Sequence, residues 1–358
     1  MTCPNCSREV PDAEFCANCG HPLRGERTKR GFSAAPNESL HVPRIVSTLF
    51  PHLPEQDMAS FRIALVGGLV VVVALALLRL FPLALVAAAV LVPLITVLYL
   101  IDVDVYEDEP LRVIAFTAAW GVVGGLLVGV LTRAIAPAGG TGSRTLVQAV
   151  VLPAISVAVM LGGPLVLLPY RKFNDVLDGA TFGATAAVTF AGAVVLANAF
   201  SLFSAGFRPL GQIGSWVALV LTLGVARPVL FAGLIGSAAG ALWLRYRAPA
   251  RDRRALGLMG NPVVAVALAL AGTVLAALIQ TKLPVWEGLI LLLVLAAASM
   301  IWLRVVIHVG LREEASEEGL GEEMVCANCH RPTPAANFCT RCGMSMLALP
   351  KARPGGTT

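Results

Sequence analysis

Eight runs of about 20 apolar residues dominate the sequence, and they limit the folds that are open to this chain. They cover residues 62–80, 83–101, 112–133, 147–169, 180–203, 216–244, 262–281 and 286–308. A helix needs roughly 20 apolar residues to cross the hydrocarbon of a bilayer. Because 57% of the residues are hydrophobic and only 14% are charged, a water-soluble core could not hide this much apolar surface. We therefore predict an all-α polytopic membrane helix bundle of about eight transmembrane helices, with the lipid bilayer as its solvent.

Small residues recur at a spacing of four inside several runs, which places them on one face of a helix. They are Gly121, Gly125 and Gly129, Gly179 and Gly183, and Gly236 and Gly240. Small side chains let helix backbones approach closely in lipid, so we predict that these glycines lie at helix–helix contacts.

The basic residues outside the runs set the expected orientation. If the N-terminus is cytoplasmic, most arginines and lysines fall in cytoplasmic segments, as the positive-inside rule requires. The loops on the other side keep only Arg79, Arg133, Arg144, Arg208 and Lys282. The opening sequence MTCPNCSREV lacks the apolar region of a cleavable signal peptide, so the first span is expected to direct insertion. We predict a multi-pass protein of the plasma or inner membrane with both termini in the cytoplasm.

The sixth run leaves an alternative to this topology open. Its Arg227-Pro228 pair can break the run into a shorter span preceded by an interfacial piece. If this changed the number of spans by one, the two ends of the chain would lie on opposite sides of the membrane.

All eight cysteines lie outside the apolar runs, in two groups of four at the chain ends. The groups read CPNCSREVPDAEFCANCG and CANCHRPTPAANFCTRCG, and both follow C-x2-C, nine residues, C-x2-C. Two CxxC pairs can present four thiolates to a tetrahedral Zn²⁺ ion at about 2.3 Å. Disulfides are the alternative, but a reducing cytoplasm disfavours them. We predict two structural zinc sites, formed by Cys3, Cys6, Cys16 and Cys19 and by Cys326, Cys329, Cys339 and Cys342.

Small details of the two cysteine groups support zinc ribbons rather than another kind of module. Gly20 and Gly343 follow the second CxxC pair, where the backbone must turn without a Cβ. His21 and His330 adjoin CxxC pairs and are expected at the surface, because four cysteines already fill each site. Neither group has a dense basic and aromatic face, so nucleic acid is not an expected partner. A membrane or cytoplasmic protein is the expected partner.

The changes in composition along the chain divide it into six parts. We predict a zinc ribbon at residues 1–23, a connector at 24–60 and a transmembrane domain at 61–310; the end of the connector is expected either to form an interfacial element or to pack against the bundle. An acidic linker at 311–324, a second zinc ribbon at 325–346 and a tail at 347–358 follow.

Two segments of the transmembrane domain resemble motifs of the PrsW-type intramembrane protease family. LYLIDVDVYEDEPLRVIAFTAAWG resembles its first acidic segment, and FNDVLDGATFGATAAVTFA resembles its Asp-Gly turn with the following Gly/Ala-rich helix. RVVIHVGLREEA is similar to the end of the family domain. The resemblance covers about residues 60–315, with the zinc ribbons outside it, and it implies a helical protease scaffold.

The resemblance also implies where the family's proposed catalytic residues would fall. These are a paired glutamate, a lysine, a Glu-Asn pair and a histidine, and none of them is retained. Their positions are occupied by Ser156, Val157, Met160, Val194, Val195 and Pro228. Hydrolysis inside a membrane needs a general base or a metal to activate water. We therefore expect a pseudoprotease, a non-catalytic binding or regulatory protein on a protease-like scaffold.

Asp175 and Asp178, in KFNDVLDGATFG, are the remaining candidates for a catalytic site. Their simpler interpretation is capping of the fifth helix, whose N-terminus stabilises carboxylates. The alternative is a divergent intramembrane metalloprotease in which they hold a metal together with the acidic loop. That loop contributes Asp102, Asp104, Glu107, Asp108 and Glu109.

A third hypothesis rests on the similarity of the two cysteine groups. In it the protein is a membrane scaffold or sensor whose two ribbons pair on the cytoplasmic face.

Overall fold

The computed structural model of the protein describes residues 1–24, 31–32, 38–39, 59–103, 111–135, 146–203, 213–248, 256–314, 321–326 and 328–346. The predicted interfacial element of the connector, residues 104–110 of the acidic loop, residues 315–320 of the linker and the predicted tail lie outside the described residues.

Helices form nearly all of the regular structure in the described part of the chain. They are α1 (Ala59–Leu77), α2 (Phe81–Val103), α3 (Leu111–Ile135), α4 (Leu152–Leu167), α5 (Val176–Phe203), α6 (Ile213–Leu221), α7 (Arg227–Tyr246), α8 (Pro262–Lys282) and α9 (Val285–Glu314). A short 3₁₀ turn, Gly257–Gly260, precedes α8. The described residues also contain two antiparallel pairs of very short strands. In the first pair β1 (Gly31–Phe32) lies beside β2 (Glu38–Ser39), and in the second β3 (Glu323–Val325) lies beside β4 (Pro332–Pro334).

Six helical segments among the described residues are long and apolar enough to cross a membrane. They are Arg112–Ile135, Val147–Leu167, Val176–Asn198, Ile213–Tyr246, Pro262–Lys282 and Val285–Gly310. The first two predicted runs form α1 and α2, whose described apolar stretches, Val66–Leu77 and Phe81–Thr96, are shorter. The helices thus indicate a multi-pass membrane protein, and the count of about eight spans stays a prediction.

The outer surface of the helices is apolar. Leu77 is 79% exposed, Leu127 66% and Val294 62%. Exposing such side chains to water costs roughly 25 cal/mol per Å² of apolar surface, whereas lipid removes that cost. The exposed faces are therefore those expected of helices in a bilayer.

The centre of the bundle is α5, which packs between α3 and α7. A Cβ at Gly125 of α3 would stand 2.4 Å from the carbonyl oxygen of Phe190 in α5. On the opposite side, a Cβ at Gly183 would stand 2.7 Å from the carbonyl oxygen of Ile235 in α7. The predicted role of these glycines in close helix packing is confirmed.

Two of the spans contain a π-helical turn, one at Val147–Val151 before α4 and one at Thr222–Ala226 before α7. A proline, Pro153 or Pro228, lies within the first two residues of the helix that follows each turn. Proline has no N–H to donate, and a π-helical turn lets the chain continue without the missing bond. The sixth run therefore stays helical from Ile213 to Tyr246, and the alternative break at Arg227-Pro228 is not observed.

The second cysteine module packs on the helices. Phe338 is 1% exposed and belongs to the same cluster of buried apolar side chains as Leu177 of α5 and Val309 of α9. Leu177 also packs closely against Gly310, since a Cβ added at Gly310 would lie 2.9 Å from the Cδ2 atom of Leu177. The start of α5 and the end of α9 thus meet at one end of the bundle.

Candidate metal centres and a polar cavity

The first cysteine module brings its four thiols together. The Sγ atoms of Cys3 and Cys19 are 3.7 Å apart, and those of Cys6 and Cys16 are 3.8 Å apart. All four sulfur atoms lie within 4.8 Å of one another. A disulfide requires a bond of about 2.05 Å, so these cysteines are free thiols arranged as a group that could hold a metal ion.

The second module repeats this geometry. The Sγ atoms of Cys326 and Cys342 are 3.8 Å apart, as are those of Cys329 and Cys339. These four cysteines are also free, and their sulfur atoms also lie within 4.8 Å of one another. The structure therefore groups all eight cysteines into the two sets that the spacing predicts.

The same two backbone hydrogen bonds occur in each of the four CxxC pairs. The first cysteine of a CxxC pair donates its N–H to the carbonyl five residues later and accepts from the N–H four residues later. Cys16, for example, donates to His21 at 2.8 Å and accepts from Gly20 at 2.9 Å. The residue four places later has a positive φ in all four pairs: Ser7 (57°), Gly20 (63°), His330 (55°) and Gly343 (71°). The predicted turns at the two glycines are confirmed, whereas Ser7 and His330 are positions that the sequence does not reveal.

Amide groups surround the sulfur atoms. The side chains of Asn5 and Asn328, which occupy the same place in the repeat, lie 3.6 Å from the Sγ atoms of Cys19 and Cys342. Asn18 donates to Cys6 at 3.4 Å. Donors of this kind orient metal ligands and stabilise negative charge on sulfur.

The surroundings of the thiols also shift their pKa values. Burial raises the pKa of Cys3 and of Cys326, and the hydrogen bond with Cys16 together with burial raises the pKa of Cys19. Thiols with a raised pKa keep their protons at neutral pH until a metal ion displaces them. Protons and metal ions therefore compete for these groups.

The two modules contact each other through equivalent atoms. The N–H of Phe15 donates to the carbonyl of Thr340 at 3.1 Å, and the N–H of Phe338 donates to the carbonyl of Ala17 at 3.0 Å. Phe15 and Phe338 are equivalent in the repeat, as are Ala17 and Thr340. The contact is therefore reciprocal, as between two copies related by a twofold axis. We call this contact the ribbon pair.

Asp175 and Asp178 lie at the start of α5. Asp175 immediately precedes the helix, and its N–H donates to the carboxylate of Asp178 at 3.1 Å. A carboxylate in the first turn that accepts from the residue before the helix is one half of a capping box. Asp178 is 2% exposed. The proposed acidic partner residues 104–109 lie outside the described residues, so a metal between the two segments stays a hypothesis.

A cavity of about 270 Å³ lies between the helices, and sequence reasoning did not find it. Its lining comes from α3, the π-helical turn before α4, and from α4, α5, α7 and α8. It is formed by Val128, Thr132, Gln148, Leu152, Pro153, Ser156, Val194, Asn198, Arg227, Phe231, Thr273, Ala276, Ala277, Gln280 and Thr281. The only available signal was weak, namely polar residues near one end of several apolar runs.

Two of the positions that the family resemblance assigns to catalysis line this cavity, Ser156 and Val194, and Pro228 follows the lining residue Arg227. The Ser156 hydroxyl is 5% exposed and donates to the carbonyl of Leu152 at 2.8 Å. A hydroxyl bonded to its own helix in this way is a packing feature of membrane helices.

The fold and these centres define a class: a multi-pass membrane protein with a four-cysteine, metal-competent module near each end of the chain. Comparisons with family models, with curated proteins and with solved structures find no match for the chain. The resemblance to PrsW-type proteases remains an expectation from the sequence.

Proposed function

We propose that the protein is a non-catalytic membrane scaffold in which a protease-like helical core carries two structural zinc ribbons as one binding unit. In this proposal the unit lies on the cytoplasmic face and binds a membrane or cytoplasmic protein. The observation that carries the proposal is the ribbon pair, because reciprocal hydrogen bonds join the modules near opposite ends of the chain into one body.

The thiol geometry is compatible with a tetrahedral zinc site, the metal that this proposal assigns to each module. A regular tetrahedron with corners about 2.3 Å from its centre has edges of about 3.8 Å. The four close Sγ–Sγ distances are 3.7 Å, 3.8 Å, 3.8 Å and 3.8 Å. Since protein thiols fill all four positions, such an ion has no open position for substrate and is structural. Modules this small have little core, so the metal would supply much of their folding free energy.

The helical core supports a binding role better than a hydrolytic one. The described lining of the cavity contains serine, threonine, amide and arginine side chains but no Asp, Glu, His or Cys. Arginine stays protonated at neutral pH and cannot act as a general base. The lining described here therefore offers no group to activate a water molecule. At the other candidate site, the Asp178 carboxylate serves as an acceptor for the start of α5.

A survey of new protein N-termini in the host membrane and secreted fractions tests this proposal. Wild type, a deletion strain and the Asp175→Asn/Asp178→Asn double variant would be compared. The same set of termini in all three strains is the expected result. Loss of one set in both the deletion strain and the variant would overturn the proposal in favour of the divergent metalloprotease.

A second measurement addresses the scaffold itself. Purified full-length protein is expected to contain two zinc ions per chain by elemental mass spectrometry. Protein that carries no zinc after purification under reducing, chelator-free conditions would show that the modules are not zinc ribbons.

A further inference from the structure

The wall of the cavity between the helices contains a cation that has no matching acid among the described residues. Arg227 lies half-buried in its wall, with the guanidinium carbon 5.2 Å from the centre of the Phe231 ring. Among the described residues no carboxylate forms an ion pair with Arg227. An ionisable side chain within a membrane segment is costly and usually marks a functional site.

The segments that surround the cavity contain no acidic residue near Arg227. Between Leu111 and Trp286 the only acidic residues are Asp175, Asp178 and Asp252. Asp175 and Asp178 lie at the start of α5, and a Cβ at Gly179 would stand 2.8 Å from the Trp243 ring near the end of α7. Asp252 follows the end of α7. Arg227 begins α7, about 24 Å along the helix axis from Trp243.

The remaining charges near the cavity do not neutralise Arg227. Glu287, in the first turn of α9, is exposed and does not belong to the described lining. Arg133, at the end of α3, adds a second positive charge and donates to the Ala197 carbonyl at 2.9 Å. Among the described charges at this end of the bundle, Arg227, Arg133 and Lys282 therefore outnumber Glu287.

The polar groups that line the cavity fall into two sets. The hydroxyls of Thr132, Ser156, Thr273 and Thr281 donate to carbonyls of their own helices at 2.7 Å, 2.8 Å, 2.7 Å and 3.1 Å, and the Asn198 amide donates to the Val194 carbonyl at 2.8 Å. Gln148 and Gln280, in contrast, make no side-chain hydrogen bond within the described part of the chain. Their amides and the Arg227 guanidinium are therefore hydrogen-bond donors that remain available to a ligand.

Both π-helical turns border the cavity. Gln148 belongs to the turn before α4, and Arg227 directly follows the turn before α7. Such turns in helices frequently occur at functional sites. The same local feature thus positions two of the three available donor groups.

We propose that the cavity binds a phosphate-type oxyanion, held by Arg227 and by the amides of Gln148 and Gln280. Guanidinium groups bind phosphate through paired charge-assisted hydrogen bonds, and this ligand would supply the missing negative charge. The volume of about 270 Å³ is large enough to hold a phosphate group. That group can be free phosphate or the phosphate of a lipid headgroup.

Two binding measurements on the purified full-length protein distinguish these sources. In dodecyl maltoside micelles, which contain no phosphate, inorganic phosphate is titrated and its binding heat is measured. In nanodiscs of phosphatidylcholine and phosphatidylglycerol, native mass spectrometry measures how much phosphatidylglycerol stays with the protein. Binding in the first assay indicates free phosphate, and retention only in the second indicates a lipid headgroup.

Variants connect either signal to the cavity. Arg227→Gln is expected to weaken binding about tenfold or more, because it removes the charge and its hydrogen bonds. Gln148→Met keeps the charge and removes a donor, and it is expected to weaken binding several-fold even if Arg227→Gln does not fold. The control is Arg245→Gln, which removes an exposed charge near the other end of α7 and is expected to change binding less than about twofold.

Three results would overturn the proposal. The first is that the wild type binds neither phosphate nor phosphatidylglycerol. The second is that Arg227→Gln and Gln148→Met both bind as the wild type does. The third is selective binding of a carboxylate such as succinate, which would assign the cavity to a different class of anion.

Discussion

Four residues with positive φ hold the turns that present the thiols, and only two of them are glycine. An L-residue in this conformation costs roughly 1–2 kcal/mol, whereas glycine adopts it freely. Ser7 and His330 bear that cost in the first CxxC pair of each module, and Gly20 and Gly343 avoid it in the second.

This difference predicts unequal effects of the same replacement at two equivalent turns. Gly20→Ala is expected to destabilise the first module by about 1–2 kcal/mol, because alanine must adopt the left-handed conformation. Ser7→Ala is the matched control, since it replaces one L-residue by another at the same φ and should change stability by less than about 0.5 kcal/mol. The measurement is the rate at which a chelator removes zinc from full-length protein that has been loaded with zinc. Equal rates for the two variants would contradict the argument.

The protons on the thiols predict how metal retention depends on pH. The pKa of Cys3, Cys19 and Cys326 is raised in the metal-free arrangement, so these groups are thiols at neutral pH. A metal ion must displace their protons, and lowering the pH therefore favours release. The apparent zinc affinity is expected to fall by up to about tenfold per pH unit for each thiol between about pH 8 and pH 6. Competition with a chelator checks this, and a pH-independent affinity would exclude thiolate ligands.

At the scale of the elements, the contact between α3 and α5 depends on the absence of side chains. Gly125→Val is expected to push α3 away from α5 and to destabilise the bundle by about 1–3 kcal/mol, because a Cβ there meets the Phe190 carbonyl. Gly67→Val in α1 is the matched control, since a Cβ at that glycine has nothing within 4 Å. Thermal unfolding in detergent compares the two variants. An equal loss of stability in both would show that helix propensity, rather than packing, causes the effect.

The apolar runs predict the helices well because the length of a span and the polarity of its ends follow from the bilayer. The helix boundaries differ from the predicted ones where polar residues cap or extend a helix. The fifth run was predicted to begin at residue 180, but α5 begins at Val176, because the Asp178 carboxylate accepts a backbone N–H there. The eighth was predicted to end at residue 308, whereas α9 continues to Glu314 through a polar segment that needs no lipid.

The cysteine spacing predicts both thiol groups, because each group is assembled from residues close together in the sequence. The cavity could not be predicted in this way. It depends on which faces of five helices converge, and hydropathy alone does not specify the rotation of a helix that is apolar on all sides. Arg227 is visible in the sequence as a charge inside an apolar run, but the roles of Gln148 and Gln280, which line the same cavity, become apparent only when the helices are assembled.

At the scale of the whole molecule, the ribbon pair makes the two modules depend on each other. Cys16→Ser/Cys19→Ser is expected to abolish metal binding in the first module and to accelerate zinc release from the second, because Phe338 loses its acceptor at Ala17. The control is Glu9→Gln, which changes an exposed residue of the first module and should leave both release rates unchanged. An unaltered release rate from the second module in the double variant would show that the two modules are energetically independent.

The ribbon pair also orders events during synthesis. Phe15 and Phe338 are separated by 323 positions, so the first module emerges long before its partner exists. At a translation rate of about 5–20 residues per second, the interval is roughly 16–65 s, and all the apolar runs are made during it. A truncated chain never supplies the second partner and keeps the Phe15 edge open. Closure of the pair thus requires a chain that carries both modules, and it can occur only after the helices between them have been synthesised.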